Sequence, residues 1–173
     1  MQRSPRRDPG AEPVTDPEAT REAALRLLER TRRTRAELER RLHEKGFAAA
    51  TVAEVLDRLA RVGLVDDAEF ARAFLAGRWG RRTSGWRKLQ LQLRGKGVSD
   101  GDVKAARAAI EEREGAIDEI TAARALVAQA SRRYAALEPR VRQQRLYALL
   151  ARRGFDGGTI RRALALPEDA AGE

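Results

Sequence analysis

Two adjacent carboxylates, Asp66 and Asp67, come nearest to a catalytic pair in this 173-residue chain. Paired acids carry out acid–base chemistry when their surroundings drive their pKa values apart. Asp66, however, stands three residues before Glu69 at the head of an apolar-periodic run, which is the spacing of a helix N-cap and its N3 partner. Neighbouring acids in such a turn need not converge on a substrate, so they are assigned a cap rather than a reaction. Gly95-x-Gly97 offers part of a phosphate loop, but it follows a helical pattern rather than a strand and lacks the remaining glycine spacing, so it reads as a helix C-cap. His43 falls one residue past Leu42 on a charged helix face and is expected in solvent. The chain has no cysteine and this single histidine, which excludes disulfides and thiolate metal sites and leaves little for a transition metal. No Ser, His and Asp constellation assembles from convincing neighbours. The expectation is a protein without catalytic residues, metal or cofactor.

Charge points elsewhere. The formal net charge is +9, but the ends dilute it: residues 21–166 hold 32 basic against 19 acidic side chains, a net of +13. Such a balance suits an acidic partner, either nucleic acid or an acidic protein surface. The basic residues recur beside a leucine stripe: Arg35, Arg40, Arg41 and Lys45, then Arg87, Lys88, Arg94 and Lys96, then Arg142, Arg145, Arg152 and Arg153. Repeated basic faces along an elongated body would follow a polyanion or a filament. Between the first two groups, Gly77 to Gly85 forms a glycine-rich basic connection with Arg81 and Arg82, expected as an exposed loop. Its Trp79 suits a base or a partner's pocket as well as a helix end. Trp86, three before Leu89 and seven before Leu93, falls on the apolar stripe and is expected in the core.

What must position these residues is a repeat. Leucine, three residues, leucine, three residues, glycine, then an apolar residue occurs at Leu38, Leu42, Gly46 and Phe47, at Leu89, Leu93, Gly97 and Val98, and at Leu146, Leu150, Gly154 and Phe155. Leucines four apart share a helix face, and the glycine sits where the chain must turn left-handed to end the helix. Self-similarity at roughly fifty residues marks a repeat architecture. Downstream, Val52, Val55 and Leu56 align with Val103, Ala106 and Arg107 and with Ile160, Ala163 and Leu164. Arg107 in a leucine position predicts a different buried face for the last helix of the second copy. Ser99 and Asp156 can cap the last helices of copies two and three, whereas Ala48 cannot, so the first is expected to start late, at the Thr51 and Glu54 capping box.

Each copy reads as three helices. In the first they follow Asp16-Pro17, follow the Thr34 and Glu37 capping box, and end at Gly63. In the second, Phe70 and Phe74 share a face of the opening helix, and helices over 86–96 and 100–114 complete the unit. In the third, the expected helices are Ile120 to about Arg133, Pro139–Arg152 and Thr159–Leu166. With Ala, Leu, Arg and Glu abundant and few β-branched residues, the fold class is all-α: an elongated array of three tandem three-helix repeats over 17–63, 64–115 and 116–166. Residues 1–16, with Pro5, Pro9 and Pro13 and almost nothing apolar, are expected as a disordered tail, and 167–173 as a flexible acidic one. No apolar run is long enough for a membrane span or a secretory signal, so a soluble, cytoplasmic monomer is expected.

The order and spacing of these pieces carry a resemblance. Arg35-Ala-Glu-Leu38-x3-Leu42-x-x-Lys45-Gly46, then Gly63-Leu-Val-Asp66-Asp67-Ala-Glu-Phe70-Ala71-x-x-Phe74, then Gly85-x-x-Lys88-Leu89-x3-Leu93-x-x-Lys96-Gly97-Val98 is similar to the bacterial RecX regulatory proteins. The similarity covers about 21–166. It implies tandem three-helix repeats in a non-catalytic protein that binds the RecA recombinase filament. It further implies restraint of the filament's ATP hydrolysis, strand exchange and co-protease action, and through these of recombination and the SOS response. The resemblance supplies no catalytic residues, and its contact surface is diffuse, so the basic positions above rest on charge. Weak, salt-dependent binding to single- or double-stranded DNA is the rival expectation from the same basic faces.

Overall fold

The computed structural model describes residues 12–78, 84–116 and 118–165. Among them the chain folds into nine α-helices and one short 3-10 helix, grouped three by three: α1 Pro17–Arg30, α2 Arg35–Glu44 and α3 Ala49–Arg61; α4 Asp67–Ala76, α5 Trp86–Gly95 and α6 Asp100–Glu114; α7 Glu119–Ser131, α8 Pro139–Arg153 and α9 Gly157–Leu164. The 3-10 turn, Arg132–Tyr134, extends α7.

Local chemistry explains the boundaries. Every opening helix is capped by an aspartate: Asp16, Asp66 and Asp118 accept backbone N–H bonds from the first turns of α1, α4 and α7. Thr34 and Glu37 close the reciprocal capping box of α2. Each middle helix stops before a glycine with positive φ: Gly46 at 91°, Gly97 at 82° and Gly154 at 87°. The Phe47, Val98 and Phe155 N–H groups then donate back to Leu42, Leu93 and Leu150.

Each unit closes its own core. Leu38, Leu42, Val52, Val55, Leu56 and Leu59 cluster in the first, Phe74, Leu75, Leu89, Leu93, Val103 and Ile110 in the second, and Ala123, Leu126, Leu150, Phe155 and Ile160 in the third. At about 1.5–3 kcal/mol per buried leucine, these separate clusters supply most of the driving force, so each unit is held mainly by itself. Val65, which the repeat spacing assigns to the second unit, packs in the core of the first.

Several expectations are corrected. Helix α3 does not wait for Thr51; it begins at Ala49, with Ala48 as a cap that makes no side-chain bond. The reason lies upstream. Val14 N–H donates to Gly46 O at 2.9 Å, Ala48 N–H donates to Val14 O at 2.8 Å, and Thr51 Oγ1 donates to Thr15 O, so residues 14 and 15 hold the start of α3. The last residues of the expected tail are therefore hydrogen-bonded, while residues 1–11 lie outside the described residues, as do Trp79, Arg81, Arg82 and 167–173. Arg107 does not alter the buried face of α6: Val103, Ala106 and Ile110 remain buried, and the Arg107 guanidinium lies 4.7 Å over the half-buried Trp86 ring. Helix α9 starts two residues earlier than expected, because Asp156 caps it through Thr159 N–H, and it ends at Leu164 before a left-handed Ala165.

Candidate partner interface

The units meet through their middle helices, at two junctions of matching design. At the first, the N-terminus of α2 meets the end of α5: Thr34 Oγ1 donates to Lys96 O at 2.6 Å, and Arg35 N–H donates to Asp67 Oδ1 at 2.9 Å. At the second, the N-terminus of α5 meets the end of α8: Gly85 N–H donates to Arg153 O at 2.9 Å, and Trp86 N–H donates to Glu119 Oε1. In both, the first residue of a middle helix gives an otherwise orphaned N–H to the first acid of the next unit's opening helix. Burial pushes the carboxyl groups of Asp67 and Glu119 up from their ordinary values. The bonds from the Arg35 and Trp86 N–H groups oppose this without cancelling it, and Asp102 beside Asp67 and Asp156 beside Glu119 add to the rise. Asp67 and Glu119 are thus joints, while Asp66 caps α4 by accepting from Glu69 N–H. Among the described residues no group of three metal-binding side chains is present.

The junctions and local ion pairs absorb many of the basic candidates. Arg35 pairs with Asp57 at 2.6 Å and Glu39 at 3.0 Å, Arg40 with Glu44 at 3.8 Å, and Lys96 with Glu37 of the neighbouring unit at 2.7 Å. Arg94 grips Asp100 with two bonds of 2.6 and 2.8 Å. Arg41 is half-buried and its Nε is enclosed without a hydrogen-bond partner. Arg153 is half-buried, its carbonyl taken by Gly85. Lys45 and Arg145 are exposed and Arg142 is half-buried. Arg81 and Arg82 lie outside the described residues.

Beside the second junction, the structure brings Arg87, Lys88 and Arg94 of α5 together with Arg152 of α8 around a cleft of about 720 Å³. No acid lines it, and Arg87, Lys88 and Arg152 form no ion pair among the described residues. Phe155 and Ile160 of the third core contribute to its wall. Leu91 and Tyr147, which the charge reading missed, also line it and are 69% and 39% exposed. A signal for Leu91 was present: two residues from both Leu89 and Leu93, it cannot share their face of a helix. Tyr147 left no comparable mark. The first-unit candidates Arg40 and Lys45 are not part of this cleft.

Comparison with known proteins follows the same three-part division. Family profiles described as the first, second and third three-helix domains of RecX match residues 21–59, 66–106 and 117–164. The regulatory protein RecX of Mycolicibacterium vanbaalenii is 41% identical over 145 residues, spanning 80% of this chain and 77% of that protein. The regulatory protein RecX of Thermobifida fusca is 39% identical over 155 residues, spanning 88% and 80%. The crystal structure of RecX from Lactobacillus salivarius superposes with a TM-score of 0.74 over 86% of this chain and 94% of its own, at 21% identity, which speaks for the fold.

Proposed function

The chain belongs to the RecX family, whose members are named regulatory proteins, and from that premise we propose that it binds the RecA filament on DNA and restrains it without chemistry of its own. In this reading it lowers the filament's ATP hydrolysis, strand exchange and co-protease activity, and so tempers recombination and the SOS response in the cytoplasm, acting as a monomer. The observation that carries the reading to a surface is the cleft between the second and third units, where Arg87, Lys88 and Arg152 form no ion pair among the described residues. Elsewhere in the repeats, as at Arg35 and Lys96, cations are neutralised within the protein, and in the cleft itself Arg94 is held by Asp100. No helix among the described residues is long and apolar enough to cross a membrane.

The same cations favour a second reading, a DNA-binding module that affects recombination by competing for DNA. Phosphate contacts release counterions, so that mechanism weakens steeply with added salt. The deciding assay is single-stranded-DNA-dependent ATP hydrolysis by the cognate recombinase, with this protein added far below one copy per recombinase protomer. Few copies cannot mask the DNA, so strong inhibition at that ratio is the expected result. Inhibition only at DNA-coating amounts, falling with salt in step with bare-DNA affinity, would overturn filament regulation in favour of competition.

A further inference from the structure

The cleft beside the second junction combines two features that a simple cation track does not need. Of its four lining cations Arg94 is held by Asp100, whereas Arg87, Lys88 and Arg152 form no ion pair among the described residues, and Leu91 and Tyr147 line the same cleft as apolar surface left to water. Charge without a counter-charge attracts an anion. Exposed apolar area beside it gains free energy when an apolar group covers it.

One chemical class satisfies both, and we propose that this cleft binds an acidic peptide segment, with an apolar side chain seated against Leu91 and Tyr147 and its flanking carboxylates facing Arg87, Lys88 and Arg152. The proposal rests on the filament-binding reading and deepens it by naming the chemistry of the segment recognised. A volume of about 720 Å³ holds a few side chains. Single-stranded nucleic acid would bring the charge, but its bases stack on aromatic faces. Among the described residues Tyr147 is the one ring at the surface of the cleft, and Leu91 has none. An aliphatic wall between cations suits a Leu or Met between Glu and Asp residues. Because Leu91 is 69% exposed, replacing it removes the docking surface while sparing the cores.

The test uses the full chain and fluorescence polarisation with three labelled probes: a short peptide with one Leu flanked on both sides by Glu and Asp, the same peptide with that Leu replaced by Ala, and an oligothymidine. The first peptide is expected to bind. Its affinity should fall about tenfold in Leu91→Ala, the order expected for losing roughly two buried methylenes, and similarly when the peptide's own Leu is removed. Arg152→Ala should weaken the peptide severalfold, and oligothymidine affinity should not change in Leu91→Ala. Circular dichroism establishes that both variants keep their helices. Absence of peptide binding, or equal binding by wild type and both variants, would overturn the proposal. So would oligothymidine affinity that falls with both substitutions while the peptide does not bind, an outcome that assigns the cleft to nucleic acid. The ATP hydrolysis assay separates the two levels. Inhibition by a protein that ignores the peptide removes the cleft and keeps the regulator, whereas peptide binding by a protein that does not inhibit does the reverse.

Discussion

The two junctions perform the same task with different parts. Between the first and second units, side chains span the gap: Thr34 reaches Lys96 O with its hydroxyl, and Glu37 meets the Lys96 ammonium. Between the second and third, backbone meets backbone: Gly85 has no side chain to offer and gives its own N–H to Arg153 O. A Cβ added to Gly85 would stand 2.4 Å from Gly154 O, and one added to Gly154 would stand 2.4 and 2.5 Å from Lys88 Cβ and N. The position that is Glu37 in the first junction is Lys88 in the second, and a lysine cannot pair with a cation as Glu37 does with Lys96. At the first junction a glycine also meets the neighbouring unit, but Gly97 faces the Ala36 methyl rather than a backbone oxygen or nitrogen. Where the backbones touch, glycine on both sides is the requirement.

Substituting alanine for the turn glycines breaks the comparison most forcefully. Gly63, Gly97 and Gly154 all have positive φ, so each pays a strain of about 1–2 kcal/mol as Ala. Around Gly63 nothing lies within 4 Å, at Gly97 the neighbour is the Ala36 methyl at 2.3 Å with its backbone no nearer than 3.7 Å, and at Gly154 Lys88 Cβ, N and Cα stand at 2.4, 2.5 and 2.9 Å. Urea unfolding followed by circular dichroism should rank them: about 1 kcal/mol for Gly63→Ala, about 2 for Gly97→Ala, and about 3 or more for Gly154→Ala, as overlap is added to strain. Equal losses at all three would mean that close approach at the second junction is not a constraint.

Thr34→Ala tests the first junction on its own terms. The hydroxyl accepts from Glu37 N–H at 3.2 Å and donates to Lys96 O at 2.6 Å, so the substitution removes a helix cap and an inter-unit bond together. A loss of about 1–2 kcal/mol is expected in the same urea experiment, with Thr34→Ser restoring most of it. If Thr34→Ser were as damaging as Thr34→Ala, the methyl rather than the hydroxyl would be holding the junction.

How much of this was legible follows from the range of each interaction. The repeat, the leucine faces, the glycine stops and the Thr34 cap are written in spacings of a few residues, and the helices stand close to where those spacings put them. The joints were not legible, since Arg35 with Asp67, Trp86 with Glu119 and Thr34 with Lys96 are 32, 33 and 62 residues apart. Nothing local tells Asp67 that its partner is an N–H of another unit. The same distance hid the fate of the charges: Lys96 reads as a surface cation but is spent on Glu37, whereas Arg152, another cation near a helix-ending glycine, lines the open cleft. Val14 was misread because its bonds to Gly46 and Ala48 are backbone bonds, which composition does not record.

The smallest effect separates the junctions by the sign of a slope. Burial pushes the Glu37 carboxyl up, but the hydrogen bond and charge of Lys96, with the Thr34 N–H and Arg33, hold it below its ordinary 4.5. Glu119 has no lysine; burial pushes it above 4.5 against the Trp86 N–H and Arg107. Stability rises with pH wherever the unfolded chain binds more protons than the native one. Glu37 therefore contributes stability that is present above 4.5 and lost as pH falls through its lowered native value. Glu119 does the opposite: its native form holds the proton more tightly, so its contribution is largest below 4.5 and is lost as pH rises through the raised native value. Subtracting the stability of Glu37→Gln from wild type should give a curve that climbs across the carboxylate range, and subtracting Glu119→Gln one that descends. Each amplitude should stay under about 1 kcal/mol, because both groups remain partly solvated. Glutamine keeps the oxygen that accepts from the backbone, so what remains in each difference is the charge. A descending curve for Glu37 as well would mean that Lys96 does not offset its burial, and a climbing curve for Glu119 that its burial is offset; either would leave the junctions differing in packing alone.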